Sequence, residues 1–240
     1  MTKIKVLGSS SAGNGYLIES DNSKLILELG CNWKKYLSAM NFELENCVGA
    51  LVTHVHGDHI NLATYKNFHK TGLRLYAPKS VCEKVEAVEI QHKAKYALGD
   101  FRIVPLLVKH GDCECYSYVI DNVTDGTRIL FITDCQYFGY NVKGVNALLI
   151  EANNSTEMLL NAIADGFEVR SRSETHMEVQ TTIDTIKRLQ NENMSVLMLI
   201  HLSDNYSDEE LFKKIVYKST GIKPMVGHPG VEVEVFTDDF

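Results

Sequence analysis

Within these 240 residues, the hexapeptide His54-Val55-His56-Gly57-Asp58-His59 constrains the fold more than any other feature. It sits between the apolar run Val48 to Thr53 and a stretch from Ile60 to Lys70, in which Leu62, Tyr65 and Phe68 recur at near-helical spacing. The chain must therefore deliver these side chains from a strand end, through a loop, into a helix. Gly57 gives the backbone room to turn, so that His54 and His56 and then Asp58 and His59 can address one region of space. Separate roles as helix caps or core hydrogen-bonding residues are the plain alternative. Burying so many polar groups without a shared partner is costly, and a bound metal supplies that partner.

The flanking patterns describe an α/β chain. Ile4 to Leu7, Gly15 to Ile18 and Lys24 to Leu27 read as strands separated by Ser/Gly/Asn and Asp-Asn turn signals. Leu73 to Tyr76 and Phe101 to Val108 return to β patterning after the first helix. Tyr116 to Asp121 and Thr127 to Ile132 then flank a Thr-Asp-Gly turn, and Val145 to Ile150 is a further apolar strand. Met158 to Ala164 is expected to be helical. From Glu178 to Leu189 a stronger helix is predicted, its apolar face made by Val179, Ile183, Ile186 and Leu189. Met194 to Ile200, Asp208 to Tyr217 and Gly230 to Phe236 complete the series as strand, helix and strand. No Pro/Ser/Gly linker divides the chain, so residues 1–240 are expected to form a single domain. Periodicity leaves the sheet arrangement open between a two-sheet sandwich covered by helices and one mixed sheet.

Composition narrows the function classes. Hydrophobic residues make up 45% of the chain, enough for a sizeable core, and the apolar runs are strand-sized rather than membrane-spanning. Met1 to Leu7 lacks the features of a secretory signal, so a cytoplasmic location with no membrane association is expected. The six cysteines include no Cys-x-x-Cys pair, and Cys113-Glu114-Cys115 is read as core packing or a loop, not as a zinc knuckle. A formal net charge of −7 and the absence of a long Lys/Arg tract argue against a broad duplex-binding scaffold. They leave room for an enzyme that grips a few phosphates at a metal centre, because bound cations invert the local sign.

The hexapeptide resembles the His-x-His-x-Asp-His signature of the metallo-beta-lactamase superfamily. Lys109-His110-Gly111-Asp112, Phe131-Ile132-Thr133-Asp134 and Leu199-Ile200-His201-Leu202-Ser203 extend the resemblance over most of the chain. It implies a four-layer αββα sandwich. It also implies two divalent metal ions, the first held by His54, His56 and His110, the second by Asp58, His59 and His201, with Asp134 bridging them. Imidazole and carboxylate ligands make zinc the expected ion and also suit manganese or iron. Two such cations lower the pKa of a shared water, which Asp58 would help orient, and stabilise negative charge on a phosphoryl or carbonyl group.

Glu151 in Ile150-Glu151-Ala152-Asn153-Asn154 and His176 in Thr175-His176-Met177-Glu178 resemble residues of the ribonuclease Z branch and its small bacterial phosphodiesterase and exonuclease relatives. There, a strand-end Glu supports a His that meets the substrate phosphate or protonates the leaving group. An imidazole near a helix start can donate to developing oxyanion charge, with Glu151 fixing its tautomer; the alternatives are a helix cap and a solvated strand end. Arg170 and Arg172 are candidate phosphate contacts or parts of a solvated loop. The stretch Gly8 to Gly15 is similar to the Gly/Ser-rich opening of the small relatives and makes Ser11 and Asn14 candidate substrate contacts. Ser10 departs there from the usual Gly, and Glu28 stands where Asp is common. The leading expectation is a phosphodiesterase acting on DNA, RNA or a nucleotide-like ester. A thioester or lactam hydrolase and a catalytically silent metal module remain as alternatives. No Gly/Pro-rich RNA-grasping insertion is visible, so dedicated transfer-RNA processing is not expected.

Overall fold

The computed structural model describes residues 1–169 and 174–237. The elements are β1 (Thr2–Gly8), β2 (Gly15–Glu19), β3 (Lys24–Leu27), α1 (Trp33–Ala39), β4 (Cys47–Leu51), α2 (Leu62–His69), β5 (Leu75–Ala77), α3 (Lys79–Cys82), β6 (Val88–Glu89) and β7 (Tyr96–Leu98). They continue with β8 (Phe101–His110), β9 (Cys113–Asn122), β10 (Arg128–Ile132), β11 (Ala147–Glu151), α4 (Thr156–Ala164), α5 (Val179–Leu189), β12 (Val196–Ile200), α6 (Glu209–Thr220), β13 (Met225–Val226) and β14 (Glu232–Val235).

Two seven-stranded sheets result, in the orders β14-β1-β2-β3-β4-β5-β6 and β13-β12-β11-β10-β9-β8-β7. The first sheet has antiparallel contacts from β14 to β3 and parallel ones from β3 to β6. The second repeats this pattern, antiparallel from β7 to β10 and parallel from β10 to β13. The halves of the chain therefore share a plan, except that the C-terminal strand β14 crosses over to edge the first sheet.

Alternation along the strands explains the layers. Ile4, Val6, Tyr16, Leu25 and Leu27 face Phe101, Tyr118, Phe131, Leu149 and Met198 in the core between the sheets. On the outer face of the first sheet, Leu17, Ile26, Ala50 and Val52 pack with Trp33, Tyr36 and Phe68 of α1 and α2. Leu148, Ile150, Leu197 and Leu199 pack with Ile183, Ile186, Phe212 and Val216 of α5 and α6 on the outer face of the second. This is the αββα sandwich. On α5, Val179, Ile183, Ile186 and Leu189 are buried as one stripe, each stabilising the fold by about 1.5–3 kcal/mol.

Helix boundaries follow local capping. Asn61 accepts hydrogen bonds from the Ala63 and Thr64 amides and starts α2, Ser155 accepts from the Met158 amide at α4, and Asp208 accepts from the Leu211 amide at α6. Gly221, with φ of 77°, closes α6 in the left-handed conformation. Helices α1 and α3 and the short strands β6, β7 and β13 are additions to the expected elements. All six cysteines are free thiols, and Cys113 and Cys115 lie on β9. No helix among the described residues is long and apolar enough to cross a membrane.

Candidate metal centre

The candidate residues collect at strand ends and the loops that follow. His54, His56, Asp58 and His59 follow β4, His110 ends β8, Asp134 follows β10, Glu151 ends β11 and His201 follows β12. Three of the turns require backbone that non-glycine residues seldom adopt: φ is 62° at Glu28 after β3, 44° at Asp134 and 52° at His201. Each such conformation costs on the order of 1–3 kcal/mol and persists where the surroundings over-determine it. Here it swings the side chain away from the strand and into the site.

The ligand-type atoms form two groups around Asp134. In the first, His54 Nε2 lies 2.9 Å from His56 Nδ1, and His110 Nε2 lies 3.1 Å from the same His56 nitrogen. Asp134 Oδ2 is 3.7 Å from both His54 Nε2 and His110 Nε2. In the second, Asp58 Oδ2 lies 3.4 Å from His59 Nε2 and 3.4 Å from His201 Nε2. Asp134 Oδ1 faces those two nitrogens at 3.3 and 3.5 Å. One carboxylate thus turns a different oxygen to each group. The candidate atoms of His54, His56, His110 and Asp134 lie within 4.8 Å of one another, as do those of Asp58, His59 and His201.

Outer contacts fix which nitrogens point inward. His110 Nδ1 is 2.7 Å from the Thr175 carbonyl oxygen, which only accepts, so the proton is on Nδ1 and Nε2 presents a lone pair to the group. His59 Nδ1 lies 3.3 Å from a Glu28 carboxylate oxygen, which leaves its Nε2 lone pair facing Asp58 and Asp134. The Thr53 hydroxyl contacts His54 Nδ1 at 3.0 Å and His59 Nδ1 at 3.5 Å, serving both groups at once. Lone pairs converging at these separations repel unless a proton or cation lies among them, and oriented imidazoles of this kind are what a divalent metal requires. The residues fit the group that the fold implies.

Electrostatics agree. Burial and the neighbouring imidazoles hold His54 and His56 below the usual histidine pKa, keeping them in the neutral form that ligates. Burial also opposes charge on His201, but Asp134, Asp58 and Glu151 outweigh it and lift the pKa to about 10. Against the same burial penalty, Asp134 and Glu28 raise His59 well above its ordinary value. The carboxylates around the second group thus favour a positive charge at that place, as a proton or as a metal ion.

Beside these groups, His176 Nδ1 lies 2.6 Å from Glu151 Oε1, and its ring stacks on His201 with centroids 5.3 Å apart. Glu151 is fully buried; its second oxygen accepts from the Cys135 and Met177 amides at 3.1 and 3.2 Å, and Oε1 also lies 3.5 Å from His201 Nδ1. Burial opposes protonation of His176, yet Glu151 raises its pKa above the ordinary value. Glu151, His176, Asp134 and His201 themselves form a compact third set. The short Glu151–His176 contact gives that set the form of a hydrogen-bonded pair that shares Asp134 and His201 with the metal groups.

The profile of the beta-lactamase superfamily domain matches residues 38–202 of this chain. The chain belongs to this superfamily. Among curated proteins, exodeoxyribonuclease WalJ of Streptococcus pneumoniae serotype 2 is 26% identical over 180 residues, covering 65% of this chain and 64% of that protein. Exodeoxyribonuclease YycJ of Bacillus anthracis is 28% identical over 172 residues, covering 64% of each. The matched segment thus spans 64% of the length of these relatives. Among solved structures, the metallo-beta-lactamase fold protein YhfI from Bacillus subtilis superposes with a TM-score of 0.77 at 17% identity, covering 97% of this chain and 98% of that one. The superfamily fold and the His/Asp cluster agree on divalent metal binding.

The remaining candidates divide. Asn14 is fully buried, and its Nδ2 lies 3.1 Å from His59 Nε2 and 3.4 Å from Asp58 Oδ2, so it touches ligand-type residues instead of the open surface. Ser11 is exposed on the turn after β1. Arg170 and Arg172 lie outside the described residues. Glu28, Thr53 and Asn153 were not foreseen as supports; Asn153 Nδ2 lies 3.3 Å from His201 Nδ1 and donates to the His201 carbonyl at 2.9 Å. Thr53 and Asn153 have only position as a sequence signal, close to His54 and Glu151 at strand ends, whereas Glu28 was marked by standing where Asp is common.

Gly30 holds the second group together by close approach. A methyl added there would lie 1.7 Å from the Asp58 carbonyl oxygen and 2.7 Å from the Asn14 amide nitrogen. Gly30→Ala is therefore expected to cost about 1–3 kcal/mol, lowering Tm by on the order of 2–12 °C. It should also weaken metal binding at the second group. Thermal melts and a metal titration check this; an unchanged melt would show that the Asp58 loop gives way freely.

Proposed function

We propose that the chain is a metal-dependent hydrolase that cleaves phosphodiester bonds in a nucleic acid or nucleotide-like ester at a dinuclear centre. The observation that carries this reading is the Glu151–His176 pair, positioned beside both ligand groups and outside the seven ligand-type residues. His54, His56 and His110 would hold one ion, Asp58, His59 and His201 the other, and Asp134 both. Zinc is the expected metal; manganese or iron suits the same donors. When bound, two such cations supply Lewis-acid stabilisation of phosphoryl charge and an acidified water.

The protein's own residues do the rest. Glu151 accepts the Nδ1 proton of His176, which leaves Nε2 to exchange a proton with substrate. Protonated, His176 would donate from Nε2 to the leaving oxygen as its bond to phosphorus breaks, while the water's hydroxyl goes to phosphorus and its remaining proton to solvent. Asp58 and Asp134 keep the site anionic, the charge that bound cations would offset to admit a phosphate. The names of the curated relatives favour DNA as the first nucleic acid to test.

The test compares bis-p-nitrophenyl phosphate with short single-stranded DNA and RNA, a thioester and a lactam, under zinc and manganese separately. Phosphodiester turnover is expected with at least one metal. Turnover of the thioester while every phosphodiester stays inert would overturn the proposal.

A further inference from the structure

A cleft of about 580 Å³ shares a wall with the second ligand group. Leu202 and Ser203, which follow His201, line it, as does Ser9, whose hydroxyl accepts from the His201 amide at 2.9 Å. Ser9 also accepts from the Tyr16 hydroxyl at 2.8 Å, so its lone pairs are engaged and its own hydrogen is left to donate. Ser10 accepts from the Ala12 amide and Ser203 from the Asn205 amide, and among the described residues neither hydroxyl hydrogen has an acceptor. Lys35 lines the same cleft, tethered by donation to the Leu7 carbonyl at 3.0 Å, with two further N–H groups to offer. Glu209 at the margin is already engaged by His228 and Lys213, and Asp204 stands exposed at the rim.

A second cleft, of about 630 Å³, meets the first at Val226 and is lined by Glu210, Lys213, Lys214, Tyr217 and Lys223. Lys213 is paired with Glu209 and Glu210. Lys214 and Lys223 are exposed and carry no ion pair among the described residues, and Tyr217 is 55% exposed beside them. In a chain of net charge −7, this donor-rich cleft running into unpaired lysines and an open aromatic face is a local inversion of sign. Phosphates spaced along a strand, with bases free to stack, complement such a surface.

We propose that these two clefts form a track for a single-stranded polynucleotide, which leads from the metal centre past Ser9, Ser10, Ser203 and Lys35 to Lys214, Tyr217 and Lys223. The proposal rests on the phosphodiesterase reading and specifies its substrate as a strand of several nucleotides. Hydroxyls and Lys35 take the phosphate flanking the scissile bond; the lysines and Tyr217 take the next.

The test uses the metal-loaded full chain and its Lys35→Ala/Lys214→Ala/Lys223→Ala variant, with the three single variants as a check on folding. Substrates are bis-p-nitrophenyl phosphate and thymidylate strands lengthening from two to roughly ten nucleotides. Wild-type KM should fall with strand length. In the triple variant, KM for the long strand should rise about tenfold, and the slope of log affinity against log salt should shrink by about 0.7 for each lysine removed. Turnover of the small ester serves as the internal reference. Unchanged strand KM and salt slope, with the small ester still turned over, would overturn the track alone. A wild type inert on every phosphodiester would overturn the functional reading with it.

Discussion

Asp134→Ala is expected to abolish binding of both cations, whereas His56→Ala is expected to cost only the first. The two oxygens of Asp134 face different groups, Oδ2 toward His54 and His110 and Oδ1 toward His59 and His201. His56 belongs to one group and is exposed, so its truncation leaves the core untouched. Metal analysis on saturated protein should give about two ions per chain for the wild type, near one for His56→Ala and close to none for Asp134→Ala. Since two bound cations would supply several kcal/mol of charge stabilisation in the proposed reaction, hydrolysis by Asp134→Ala should fall by about 10³-fold or more. Wild-type stoichiometry in Asp134→Ala would remove the bridging role. A single ion in the saturated wild type would remove the dinuclear proposal itself.

The bridging geometry also separates what the sequence could reveal from what it could not. The strands and helices were legible because burial imposes period two on Ile4, Val6, Tyr16 and Ile18 and period 3.6 on Val179, Ile183 and Ile186, whereas their layering followed from the resemblance and not from either period. His54 to His59 was legible because its donors are contiguous. The left-handed backbone at Glu28, Asp134 and His201 was not, because no glycine or turn dipeptide marks it and the surrounding packing enforces it. Asn14 looked like a substrate contact in a Gly/Ser-rich loop; it is buried because Gly30 lets that loop press against the Asp58 carbonyl, a tertiary contact between distant segments. Helix α1 was missed although Asn32 caps it and Trp33 and Tyr36 bury one face, since its single buried turn falls below the length at which periodicity is decisive. Such supports become visible only once the strand ends are brought together.

His176→Ala should separate chemistry from metal binding more sharply than any ligand substitution. His176 Nδ1 is committed to Glu151, and the ring stacks on His201, but a nitrogen proposed to serve the leaving oxygen contributes nothing to either ion. Loss of a positioned general acid costs typically 10²–10⁴-fold in rate. A purely structural histidine would instead cost about 1 kcal/mol of stability and leave turnover intact. The expected result is therefore a 10²–10⁴-fold fall in kcat on phosphodiesters with unchanged metal stoichiometry and a melt close to wild type. Glu151→Gln tests the support. Its amide would still accept from His176 but would no longer carry the charge that raises the imidazole pKa, so the alkaline limb of the kcat profile should move to lower pH. The sign follows from linkage: the carboxylate stabilises the protonated ring, and its removal narrows the pH range over which His176 holds a proton to donate. Because Glu151 Oε1 also approaches His201 Nδ1, the substitution should weaken the second ion by about 10–100-fold, a loss that added metal restores while the displaced pH profile stays. If saturating metal returned the pH profile to that of the wild type, Glu151 would act only through His201, and His176 would lose its assignment as the proton donor.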